Sequence, residues 1–108
     1  MIHELRKYTP HPGKGPALLA RFEATTMPIF ERLGIRLLHC WTVPAEPGAL
    51  YYLVRFDDDA QRKAAWAAFG ADAEWKAAKA ASETDGPLLA SQTLVELAPA
   101  AFSPGRDA

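Results

Sequence analysis

Glu4, Arg6 and Tyr8 recur at every second position near the start of the chain. In an extended backbone, that spacing projects all three onto one face. A carboxylate and a guanidinium on a covered sheet face require partners, because an unpaired buried charge is costly. Such a set can bind an anion or a carbonyl, with Arg6 as the forked donor and Glu4 as base or orienter. It can equally be structural, with Glu4 and Arg6 paired to each other or across a dimer so that the sheet keeps its register. His39 and Trp41 repeat the same spacing. The imidazole suits general base work near neutral pH or axial ligation of haem, and also an ordinary core or interface position. Trp66, Phe69 and Trp75 have helical spacing and belong either to a core or to an aromatic-lined pocket, with Arg62 one turn before Trp66 as a polar lip. Alternatively, Arg62 pairs with Asp58 or Asp59. Tyr52 is a further candidate ligand-binding side chain. His3 and His11 lack partners at metal-ligand spacing, and the lone Cys40 reads as a buried, inert thiol. No cofactor motif appears: there is no glycine-rich phosphate loop, nucleophile elbow or paired-cysteine signature.

The elements that must position these groups follow from periodicity and breakers. Ile2 to Thr9 reads as a strand ended by Pro10-His11-Pro12-Gly13. From Pro16 to Leu33, the apolar residues Leu18, Phe22, Ile29 and Leu33 share one helical face, Pro28 predicts a kink, and Gly34 ends the helix. Ile35 to Val43 and Leu50 to Phe56 are strands joined by the irregular loop Pro44 to Gly48. Asp57, Asp58 and Asp59 open a helix that Gly70 interrupts, and Asp72 caps a second segment carrying Trp75. Gly86-Pro87 stops the helical region, and Ala90 to Leu97 is the last strand. The order βαββαβ predicts an α+β, ferredoxin-like sandwich: a four-stranded antiparallel sheet with its helices on one face.

Of 108 residues, 49% are hydrophobic and 23% charged, and the formal net charge is -1. The length fits one domain, expected over residues 1–104, with 105–108 as a short tail. Near-neutral charge removes the electrostatic case for nucleic acid. No apolar run is long enough for a membrane span or a signal peptide, and a cytoplasmic location is the default expectation. One cysteine excludes an internal disulfide. The strand faces add a partner. Both faces of the second and third strands are apolar or aromatic: Ile35, Leu37, His39, Trp41 and Val43 alternate with Leu38 and Cys40, and Leu50, Tyr52, Val54 and Phe56 with Tyr51 and Leu53. Helices can cover only one face, so a second copy of the chain is the expected cover for the other, giving a homodimer.

Several segments in order resemble the NIPSNAP domain family. They are Met1 to Thr9 with Pro12-Gly13-Lys14, Gly34 to Leu37 with Trp41-Thr42, Tyr52 to Asp57, Asp72 to Trp75, and Ala101 to Pro104. The resemblance implies a dimeric α/β barrel, a superfamily that includes cofactor-free monooxygenases, isomerases, dehydratases and haem-handling enzymes. It supplies no catalytic mechanism residue by residue. The leading expectation is a protein that binds or transforms a small apolar organic molecule between sheet and helices. Arg6 and Glu4 would orient it, with help from His39 or Tyr52, and Tyr8, Trp41, Arg62, Trp66 and Trp75 would shape the pocket. The alternatives are a non-catalytic homodimeric assembly module and a haem-handling barrel.

Overall fold

The computed structural model describes residues 1–104, so the expected tail at 105–108 lies outside the described residues. Strands β1 (Ile2–Pro10), β2 (Arg36–Val43), β3 (Glu46–Phe56) and β4 (Leu89–Leu97) form one antiparallel sheet in the order β2-β3-β1-β4. Helices α1 (Gly15–Arg21) and α2 (Met27–Arg32) follow β1, and α3 (Asp59–Ala71) and α4 (Ala73–Ser82) follow β3. This is the expected βαββαβ arrangement, with β1 in the middle of the sheet.

The first helical region runs without a break over 15–32, as expected, and its irregularity ahead of Pro28 is a π turn. Between α1 and α2, residues Phe22–Thr26 form a π turn closed by the Met27 N–H on the Phe22 carbonyl. Pro28 has no N–H, and its ring crowds the carbonyl one turn earlier. The wider π turn absorbs that mismatch, and Pro28 then occupies the first turn of α2, where its missing donor costs little. Gly34 adopts φ +77° and ends the helix as expected. Its N–H donates to the Glu31 carbonyl at 3.2 Å.

The β2–β3 connection is shorter than the sequence suggests. Val43 pairs with Glu46, so Pro44 and Ala45 alone make the turn, and β3 starts four residues earlier than Leu50. Gly48 makes this possible: its φ is +86°, and a Cβ there would stand 2.5 Å from Gly15 Cα. The start of β3 thus packs backbone to backbone on the start of α1. Gly70 does not interrupt α3, which continues to Ala71. Asp72 ends it in an extended conformation and caps α4 by accepting from the Trp75 N–H at 2.9 Å. Asp58 likewise caps α3 by accepting from the Gln61 N–H at 2.8 Å.

The core lies between the sheet and the first helical region. Leu18, Phe22, Ile29 and Phe30 meet Leu50, Tyr52, Val54 and Phe56 there, all buried. Leu33, expected on the same helical face, is only half-buried. Among the described residues neither α3 nor α4 contributes a fully buried side chain; Trp66 and Phe69 pack on the core partly covered.

A β-bulge corrects the face assigned to β2. Leu37 pairs with Val54, but His39 pairs with Leu53, so Leu38 is the extra residue and the alternation inverts there. His39 and Trp41 therefore share the open face with Leu53 and Tyr51, not the helix-covered face with Leu37. Cys40 is exposed rather than buried, because β2 is a sheet edge. Partial desolvation nevertheless raises its thiol pKa. The open face carries exposed apolar side chains, as the strand patterns predict, with Trp41, Val95 and Leu97 47%, 53% and 41% exposed beside polar residues such as Lys7 and Arg55.

The Gly15–Gly48 contact makes a direct prediction. Gly48→Ala combines a left-handed backbone with a clash and should lower stability by about 3 kcal/mol. Urea unfolding monitored by tryptophan fluorescence checks the value.

Candidate functional site

β1 crosses the middle of the sheet and carries Glu4, Arg6 and Tyr8 on the helix side, opposite Val54, Tyr52 and Leu50 of β3. Glu4 is fully buried. Its Oε1 accepts from Arg6 Nε at 3.0 Å and from the Trp66 Nε1–H at 2.9 Å, and its Oε2 accepts from Arg62 Nη1 at 3.0 Å. These charge-assisted bonds fill the carboxylate and leave it without access to solvent. Glu4 thus holds the other residues in place.

Arg62 of α3 makes the expected pair with Asp59 and does not form the lip of the cleft. It reaches inward to Glu4 and also donates Nε–H to Asp59 Oδ1 at 3.0 Å. The bonds to Asp59 and Glu4 raise its pKa, and the same contacts with Arg62 and Lys63 hold Asp59 below the usual carboxylate range. Arg62 is not among the residues that line the neighbouring cleft.

That cleft, of about 390 Å³, lies where α3 and α4 stand off from the sheet. Arg6 and Tyr8 form its floor, Phe22 and Thr26 of the π turn one wall, and Trp66, Phe69 and Trp75 the opposite one. The aromatic side chains support one another. Phe69 and Trp75 have centroids 4.8 Å apart, and Tyr8 meets Phe22 edge-on at 6.1 Å. The Arg6 guanidinium lies 4.1 Å over the Trp66 ring, and Arg21 lies 5.0 Å over Trp75. Asp72 fixes the entry of α4. Both its oxygens accept from Arg32 Nη2 at 2.8 Å while it caps Trp75, and these bonds lower its pKa.

Tyr8 and Tyr52 share a hydrogen bond at 2.8 Å, and their rings meet edge-on at 5.1 Å. Burial raises the pKa of both phenols, that of Tyr52 strongly. Tyr52 is fully enclosed, whereas Tyr8 opens onto the cleft.

The structure therefore brings Arg6, Tyr8, Trp66 and Trp75 together around one space, with Tyr52 and Glu4 directly behind. His39 and Trp41 stack on each other at 5.5 Å on the opposite sheet face, far from this grouping in the fold. Among the described residues no cluster of histidine, cysteine and carboxylates could hold a metal ion. Sequence reasoning missed Arg21, Lys79 and Glu83, which line the rim. Arg21 joins Glu83 at 2.8 Å across 62 positions in the chain, and no local periodicity signals such a pair. A weak signal did exist at Arg21, which immediately precedes the core residue Phe22 and closes the last turn of α1.

Fold and site together define a ferredoxin-like α+β domain with an aromatic cleft between sheet and helices. The NIPSNAP family model matches residues 3–104, and the chain belongs to that family. An uncharacterized NIPSNAP domain protein from Burkholderia xenovorans is 29% identical, with a TM-score of 0.80 over 97% of this chain and 100% of that one. A NIPSNAP family protein from Agrobacterium tumefaciens is 21% identical, with a TM-score of 0.82 over 97% and 98% of the two chains. A Chloroflexus aurantiacus protein provisionally assigned as an antibiotic biosynthesis monooxygenase shares the fold at 23% identity, with a TM-score of 0.59 over 93% and 94%. No curated protein shows significant similarity to the chain. Among the described residues no helix is long and apolar enough to cross a membrane.

The anchoring role of Glu4 is testable. Glu4→Gln leaves Arg6 and Arg62 sharing a neutral amide in a buried site, and should destabilise the fold by about 3 kcal/mol. Thermal or urea unfolding of the variant measures the loss.

Proposed function

We propose that this protein binds a small organic molecule in the cleft between β1 and the helices, and that it works as a homodimer. The observation that carries the first part is the cleft itself. It has aromatic walls, polar groups on its floor and rim, and a volume in the range of small-molecule sites. Arg6 and Tyr8 are the polar groups on the floor. Trp66 and Trp75 offer flat faces for a ring or chain, and Glu4 and Tyr52 keep the floor residues oriented. If the bound molecule is also transformed, Arg6 and Tyr8 are the groups positioned to touch it. His39 and Trp41, which lie on the other sheet face, belong to the dimer part of the proposal.

The second part rests on the open sheet face. Trp41, Val95 and Leu97 leave large apolar surface exposed there, with Leu5 and Leu53 half-buried among them. Large exposed apolar side chains gathered on one face are uncommon on a monomer, and a two-fold axis lets the same patch cover itself.

Two measurements test these readings separately. A thermal-shift screen of small aromatic and apolar compounds should yield ligands that raise the unfolding temperature by several degrees, since ligand at ten times its Kd adds about 1.4 kcal/mol. Trp75→Ala should abolish the shift and His39→Ala should leave it intact. A screen without hits, or hits indifferent to Trp75→Ala, would overturn the cleft reading. Sedimentation at micromolar concentration should give a particle of twice the 11.8 kDa chain mass, and Trp41→Asp should halve it. A wild-type monomer at that concentration would overturn the dimer.

A further inference from the structure

The two tyrosines beneath the cleft hold one proton too many. Two phenols carry two O–H protons, and their mutual bond at 2.8 Å uses one. Among the described residues neither hydroxyl has another hydrogen-bond partner. If Tyr8 donated, the leftover proton would sit on Tyr52, which is fully enclosed, and a buried donor without an acceptor is costly. Tyr52 therefore donates to Tyr8, and the Tyr8 O–H is left to point into the cleft that Tyr8 lines. Burial keeps the Tyr8 phenol protonated at neutral pH, and the positive charges of Arg6 and Arg21 oppose that only in part.

The rest of the polar rim is equally one-sided. Arg6, Arg21 and Lys79 line the cleft against a single carboxylate, Glu83, and counting Glu4 behind Arg6 still leaves three cations to two anions. Two of the rim's acceptors are already engaged: Glu83 Oε2 with Arg21 at 2.8 Å, and the Gln92 side-chain carbonyl with Arg6 Nη1 at 3.3 Å. Lys79 has no side-chain partner among the described residues. The site thus offers hydrogen-bond donors and positive charge on its floor and rim, and ring faces along its walls.

Resting on the cleft reading above, we infer that the ligand is an aromatic carboxylate or a comparably flat organic anion, whose charged oxygen accepts the free Tyr8 proton beside Arg6. A neutral amide of the same shape fills the walls and still accepts one hydrogen bond, but a weaker one, and it leaves the positive charge unanswered. The assignment makes the two tyrosines unequal. Tyr8→Phe removes the donor, while Tyr52→Phe removes only its support and leaves the Tyr8 proton in place.

Calorimetric titration with 2-naphthoate and its neutral counterpart 2-naphthamide tests this. The wild type should bind 2-naphthoate about tenfold more tightly, the scale of one hydrogen bond to a charged group. Tyr8→Phe should lose most of that preference while retaining 2-naphthamide affinity within about threefold, which also shows that the cleft is still folded. Tyr52→Phe should keep the preference. Equal binding of the two probes by the wild type, or a preference untouched by Tyr8→Phe, would overturn the anion assignment and leave the cleft reading standing. Binding of neither probe would overturn both.

Discussion

A single buried carboxylate organises this domain. Glu4 sits on the central strand with no exposure to solvent, and its two oxygens tie together β1, through Arg6, and α3, through Arg62 and Trp66. An ionised group at that depth is tolerated only with partners of opposite charge or with donors, and Glu4 has both. Because α3 contributes no fully buried side chain, this polar clamp supplements a thin apolar contact. It also sets the pose of Arg6 over the Trp66 ring, and hence the floor of the cleft.

The cleft is the space left by that division of labour. The first helical region packs tightly on the sheet through Leu18, Phe22, Ile29 and Phe30, whereas α3 and α4 cover it loosely. The π turn before Pro28 places Phe22 and Thr26 along the boundary between the two regions. The backbone irregularity thus lies where the core meets the site, and π turns often mark functional positions. Arg32 and Asp72 fix where α4 begins, and Arg21 with Glu83 ties its end back to α1.

The opposite sheet face has a different character. Trp41, Val95 and Leu97 make it apolar and exposed in the single chain, and the stacked His39–Trp41 pair lies there. The two faces divide the candidate residues into two groups with different work. One group surrounds a concave space, and the other presents a broad surface of the kind that proteins cover with another chain.

Much of this was legible in the residues alone. Alternation placed Glu4, Arg6 and Tyr8 on one face, Asp58 and Asp72 announced their helices, and the apolar strands announced an uncovered sheet face. Those features depend on neighbours within a few positions, where backbone geometry fixes what a side chain can reach. Four things escaped. The bulge at Leu38 moved His39 and Trp41 to the other face, because one inserted residue inverts the alternation and leaves no mark in composition. The irregularity before Pro28 took the form of a π turn, and Gly48 let β3 extend back to Glu46 against Gly15. The rim ion pair joined Arg21 to Glu83, residues distant in sequence that only chain closure brings together. The sequence by itself determined the fold and the polar triad on β1, since short-range periodicity encodes both. Which groups face the cleft, and which of them keep a proton to offer, was decided only by the tertiary structure, because burial and pairing depend on every element at once.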